Sequence, residues 1–276
     1  MLKQRLITAA ILIPLVIWSI FGLPTLGLAL LLALVVLAGA WEWGRLIQLQ
    51  TVSARLVYVG VIALLMLALA FGIHRENVWI VAILFVAGLW WLVAIAWVAR
   101  YRGQQRSAPE NVLMGALIGG VVLVPGWVAL SLVHGHMNHG PTFMLFFMIL
   151  IWAADSGAYF VGRKWGRNKL LPLVSPGKTL EGVAGAVVAG ALMAVVGSWI
   201  LGLTPLQGLG FVLICVATVL FSIVGDLLES LFKRRVGVKD SGVLLPGHGG
   251  VLDRIDSMTA AAPVFALGLM VFGLAK

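Results

Sequence analysis

Two carboxylates three positions apart, Asp253 and Asp256, flank Arg254 and Ile255 in LPGHGGVLDRIDS, residues 245–257, and His248 stands among glycines just before them. A second polar set comes earlier. In FSIVGDLLESLFKRR, helical spacing puts Asp226, Glu229 or Ser230, and Lys233 on one face that runs into the basic Lys-Arg-Arg. If the two sets meet, two chain segments bring hard oxygen ligands to one place, with no cysteine-rich or local histidine-pair motif competing. Hard oxygens suit magnesium, which keeps several waters and takes one or two protein carboxylates plus phosphate oxygens. Neighbouring lysines and arginines hold phosphates, and the glycines of PGHGG let backbone N–H groups approach an anion. This combination points to phosphoryl or nucleotidyl transfer.

A third stretch, LVSPGKTLEG at 173–182, ends like a Walker A phosphate loop, but that motif needs a glycine five positions before Gly177, where Pro172 stands, and a preceding strand. A true phosphate loop is rejected. Ser175, Lys178 and Thr179 still stand just before a helix expected from about 181, whose free N–H groups and positive dipole end favour an anion. The competing reading is a helix start whose bases grip membrane lipid headgroups. Asp155, within IWAADSGAYFVG, is an ionisable residue inside a span and so a functional candidate by default, the alternative being a simple ion pair with a neighbouring span.

These residues must be positioned by membrane helices. Of the 276 residues, 62% are hydrophobic and 11% charged, with a mean hydropathy of +1.09. The apolar runs are long enough to cross about 30 Å of hydrocarbon as helix. The expected fold is an all-α polytopic bundle of about nine spans, at 6–22, 25–46, 55–72, 78–98, 112–133, 142–161, 181–201, 206–232 and 257–275. The start, MLKQRLITAAILIPLVIWSIFG, imitates a signal peptide but has no small-residue cleavage site after it, and reads as a retained first span. Residues 1–140 form an N-terminal scaffold region with possible dimer contacts, and 141–276 a catalytic region with polar loops at 162–180 and 233–256. The net charge of +9 records topology and anionic partners rather than nucleic acid. With the N-terminus in the cytoplasm, all but Arg75 and Lys276 of the 19 lysines and arginines fall on that side, and so do both polar loops. The single Cys215 excludes an intramolecular disulfide. His134, His136 and His139 then belong to an outer loop, read as solvated rather than metal-binding.

SLFKRRVGVKDSGVLLPGHGGVLDRID, residues 230–256, resembles the signature of the phosphatidate cytidylyltransferases, the CDP-diacylglycerol synthases, over its whole length: Ser, Lys-Arg, Lys-Asp, a small residue, Pro-Gly-His-Gly-Gly and Asp-Arg-x-Asp. ADSGAYFVGRKWGRNKL and SPGKTLEG upstream are similar to the family too. The resemblance implies a multi-pass inner-membrane homodimer that condenses CTP with phosphatidic acid at a cytoplasmic two-metal centre, magnesium with potassium as companion. By motif position Asp226 and Asp253 are its metal-binding carboxylates. On that basis Lys233, Arg234 and Lys239, with Ser175, Lys178 and Thr179, are expected to bind phosphates. Asp256 is expected to support the site through Arg254 or by contacting a residue that touches the cation. Asp155 is open between a third ligand and a nucleotide contact, and His248 between a phosphate contact and ordering the turn. The rivals are another membrane CTP-dependent lipid or polyprenol transferase or kinase, and a proton-coupled transporter.

Overall fold

Inside hydrocarbon every backbone N–H and C=O must be satisfied within the protein, and a helix does this locally. The computed structural model of the chain, which describes residues 2–73, 78–101, 111–136, 139–244 and 249–274, is accordingly a helical bundle. Its elements are α1 (Leu2–Gly22), α2 (Thr25–Leu46), α3 (Val52–Ile73), α4 (Val78–Ala99), α5 (Val112–His136), α6 (Gly140–Trp165), β1 (Lys169–Leu171), β2 (Ser175–Thr179), α7 (Leu180–Ile200), α8 (Pro205–Arg235) and α9 (Leu252–Val271). Among the described residues, α2 to α9 are long and apolar enough to cross a membrane, and α1 shows a shorter apolar stretch at Ile13–Gly22. Large apolar side chains such as Leu34, Leu64, Val57 and Trp199 are left exposed, which only a lipid environment makes favourable. The protein is a multi-pass membrane protein.

The most enclosed span is α5. On it pack α2, α3, α4, α6 and α9, while α6 and α7 form a close pair and α8 lies between α7 and α9. Where α6, α8 and α9 meet, the Phe265 ring packs tilted against Phe147 and edge-on against Phe211, and Trp43 of α2 lies against Phe232 of α8, with centroids 4.6 Å apart. Glycine sets the α6–α7 spacing: a Cβ on Gly157 would stand 2.6 Å from the Gly185 carbonyl oxygen.

Eight of the nine expected spans recur among the described residues as helices long and apolar enough to cross a membrane, the first being matched only by a shorter apolar stretch, and several boundaries and one loop differ from expectation. The 162–180 segment is not a loop: α6 runs on to Trp165 and an antiparallel hairpin follows, pairing Lys169 with Thr179 and Leu171 with Ser175. Helix α8 continues past the expected 232 to Arg235, where Lys233 and Arg234 find partners on α8 itself, on α9 and on the hairpin. Helix α9 starts at Leu252, five residues before the expected 257, so Asp253 and Asp256 lie on the helix and not in the loop before it. Nor is His134 solvated. Helix α5 extends through it, and its ring is buried, with Nε2 2.8 Å from the Ile20 carbonyl and Nδ1 3.2 Å from Thr25 Oγ1. That ties α1 and α2 to α5. His139 stands exposed in the left-handed region at the start of α6, and the His136 side chain lies outside the described residues.

Candidate active site

The hairpin exists to carry one lysine inward. Glu181, in the first turn of α7, accepts the backbone N–H groups of Arg167 and Asn168 at 3.1 and 3.2 Å and the Asn168 side-chain amide at 2.8 Å, closing the hairpin's base. Thr179 ends β2 in extended conformation and caps α7 by accepting the Gly182 N–H at 3.1 Å. At the tip, Val174 is buried and its carbonyl takes the Arg234 Nε–H at 3.2 Å. Held at both ends, β2 directs Lys178 onto Asp226 of α8, Nζ to Oδ2 2.7 Å.

That pair lies in a cavity of about 360 Å³ enclosed by α6, β2, α7, α8 and α9, whose polar lining includes Asp155, Lys178, Thr179, Asp226 and Ser257. The expected stripe on α8 is present. Ser230 donates to Asp226 Oδ1 at 3.2 Å, and Lys233 donates one turn back to Glu229 at 2.6 Å. Lys233 also reaches α9, donating to Asp253 Oδ1 at 2.7 Å. Asp253 further accepts the Gly250 N–H at 2.8 Å and the Ser241 N–H at 3.1 Å. Asp256 is buried behind it, its Oδ1 taking the N–H and hydroxyl of Ser257. A Cβ on Gly225 would collide with the Asp256 carbonyl oxygen, so α8 and α9 meet almost backbone to backbone at this level.

Sequence reasoning and structure can now be compared residue by residue. Asp155, Lys178, Thr179 and Asp226 come together around the cavity; Lys233, Asp253 and Asp256 form the adjoining network. Three expected phosphate ligands are placed differently. Ser175 sits on β2 beyond the cavity lining, Lys239 is exposed, and Arg234 donates to the carbonyls of Val174 and Val238, so that it braces the hairpin against the end of α8. The reading of His248 falls outside the described residues. One acid was missed altogether. Glu42 of α2, 1% exposed, accepts the Leu252 N–H at 2.8 Å and the Ser241 hydroxyl at 3.1 Å. Its only signal in sequence was a carboxylate inside a predicted span, AWEWG.

Whether a hard cation fits is a question of donor chemistry. Carboxylates outnumber ammonium groups here: Asp155, Asp226, Glu229, Asp253 and Asp256 surround Lys178 and Lys233, and Asp226 lies close enough to both Asp155 and Asp256 for their charges to repel. Glu229 and Asp256 are buried, and buried acids are costly without a counter-ion. Among the described residues no three acids, histidines or cysteines converge as a ready-made metal cage. Magnesium needs no such cage, since one or two carboxylates with substrate phosphates suffice. Asp226 and Asp155 both face the cavity and fit this chemistry, Asp226 once Lys178 leaves its Oδ2. Asp253 fits it only if Lys233 gives way, since its oxygens are already taken up by an ammonium and two amides.

Comparison with known proteins agrees with this geometry. The chain is 44% identical to a phosphatidate cytidylyltransferase of Pseudomonas aeruginosa over 99% of its own length and 98% of the relative's. It is 39% identical to one from Haemophilus influenzae over 96% and 98%, and 42% identical to one from Bacillus subtilis over 49% of this chain and 50% of that one. The model of the cytidylyltransferase family matches residues 3–272. Acids and lysines gathered at one level of a helical bundle, and a match spanning nearly every residue, agree: the chain belongs to the cytidylyltransferase family.

Proposed function

We propose that the protein is a phosphatidate cytidylyltransferase that condenses CTP with phosphatidic acid, giving CDP-diacylglycerol and pyrophosphate, in the inner membrane with its site toward the cytoplasm. The observation that carries the reading is the Lys178–Asp226 pair in its cavity: a phosphate-binding cation and a cation-binding carboxylate, each holding the other. A phosphate oxygen of the lipid attacks the α-phosphorus of CTP, a new P–O bond forms, and the bond to the bridging oxygen breaks as pyrophosphate leaves. The nucleophile is already an anion, so positioning and charge neutralisation do most of the work and no general base is needed.

Asp226, with Asp155 beside it, and Asp253 would hold the cation or cations. Magnesium, with potassium as companion, supplies neutralisation of the triphosphate and of the charge that develops on the leaving oxygens. Lys178 exchanges its carboxylate partner for a nucleotide phosphate. Lys233, released from Asp253, does the same on the other side, while Glu229 keeps its stem aligned along α8. Thr179 accepts the Gly182 N–H and can donate its own proton to a phosphate oxygen. Purified protein in detergent, given CTP, magnesium and phosphatidic acid, should release pyrophosphate and yield a lipid that carries cytidine. A lipid that gains only phosphate would identify a CTP-dependent kinase instead, and folded protein that forms neither product would refute the reading.

A further inference from the structure

Glu42 belongs to a part of the chain otherwise composed of plain apolar spans, yet it is the most enclosed acid among the described residues, at 1% exposure. None of the ion pairs between described residues includes it. One oxygen, Oε2, accepts the Leu252 N–H at 2.8 Å and the Ser241 hydroxyl at 3.1 Å. The other, Oε1, is buried with no hydrogen-bond partner among the described residues. The chain closes on this carboxylate so tightly that a Cβ on Gly242 would collide with it, and one on Gly250 would collide with Ser241 beside it. An acid buried in this way costs the fold stability. What it gives in return is geometry.

That geometry leads to Asp253. Ser241 faces both ways: its hydroxyl donates to Glu42, and its N–H donates to Asp253 at 3.1 Å. Leu252, whose N–H Glu42 also holds, is the residue immediately before Asp253 and the first of α9, and Val251 before it offers no side-chain cap. Glu42 therefore grips the two backbone positions that determine where the Asp253 carboxylate points, from a helix some 200 residues away in sequence. We propose that Glu42 is a positioning residue of the transfer reaction, which fixes Ser241 and the start of α9 so that the Asp253 carboxylate is aimed at Lys233 and at the cation it would hold. The inference rests on the reading of Asp253 as part of the reacting site.

The test uses the full-length protein in detergent with Glu42→Ala, Glu42→Gln and Ser241→Ala, and Asp253→Asn as control. Two quantities are read: the kinetics of pyrophosphate release, and backbone hydrogen exchange over residues 239–252 against 169–179. Glu42→Ala should lower kcat by about 10- to 100-fold, the scale seen when a supporting partner of a ligand is removed. The KM for CTP should change little, and exchange should quicken over 239–252 but not over 169–179. Glu42→Gln, which keeps an acceptor for Leu252 and Ser241, should restore most of both; Ser241→Ala should reproduce part of the loss. If Glu42→Ala does not fold, the Gln and Ser241 variants decide the matter. Wild-type kcat and exchange in Glu42→Ala, or in Ser241→Ala where only that variant folds, would overturn the proposal. So would a Glu42→Gln as slow as Ala with unaltered exchange, because the charge and not the positioning would then be at work. Full activity in Asp253→Asn would instead remove the site reading on which the proposal stands.

Discussion

At the scale of single residues, the candidate site pairs lysines with acids, an arrangement from which substrate phosphates would draw the lysines away. Lys178 and Lys233 each contact a carboxylate expected to serve the reaction, at 2.7 Å in both cases. Asp226→Asn removes both the proposed cation ligand and the partner that holds Lys178. It should lower kcat by roughly two to three orders of magnitude, the scale of losing one preorganised electrostatic contact, in protein that elutes and melts like wild type; near-normal turnover would contradict the role. Lys178→Ala should raise the KM for CTP about tenfold or more, equivalent to about 1.4 kcal/mol, and an unchanged KM would return the hairpin to a purely structural role. The α8 stripe was legible in the sequence because its spacing is local: Asp226 to Ser230 and Glu229 to Lys233 are each one helical turn. Glu42 was not legible, since its partners lie 199 and 210 positions away and nothing around it announces them.

Among the elements, the hairpin and the start of α9 are the parts that periodicity could not give. Both are fixed by groups brought in from elsewhere. Glu181 closes the hairpin from the next helix, and Glu42 satisfies the first amide of α9 in place of a local cap. A reading that looks for Ser, Thr, Asp or Asn before a helix has nothing to find at Val251. The spans themselves were plain, because an apolar run with polar ends has few other fates in a bilayer. The α6–α7 pair shows how little room the arrangement leaves. Gly157→Ala would set a methyl group 2.6 Å from the Gly185 carbonyl and 2.7 Å from Ala189 Cβ. It should cost about 1–3 kcal/mol, as overpacking does, seen as a lower melting temperature in detergent. Because Asp155 and Lys178 line the cavity from α6 and β2, activity should fall with it, and unchanged melting and turnover would show that the helices can part freely.

At the scale of the whole molecule, orientation can be tested with the protein's own single thiol as an internal control. Cys215 is fully buried, so a membrane-impermeant maleimide should leave it unmodified. Lys169→Cys, on the exposed strand of the hairpin, should react in inverted vesicles and stay unlabelled in sealed cells; the reverse pattern would overturn the cytoplasmic placement. Helix α8 gives that placement a depth. Its 31 residues span about 46 Å, more than the roughly 30 Å of hydrocarbon, and Asp226 comes about 32 Å from its start. A two-tailed lipid can thus bring its phosphate to the lysines while its tails stay among their neighbours. With the site so placed, the lipid reactant and lipid product would travel only in the plane of the bilayer, and the nucleotide and pyrophosphate only through water. In the proposed reaction, one long helix would in this way sort the traffic of four components into two phases, with neither lipid lifted out of the membrane.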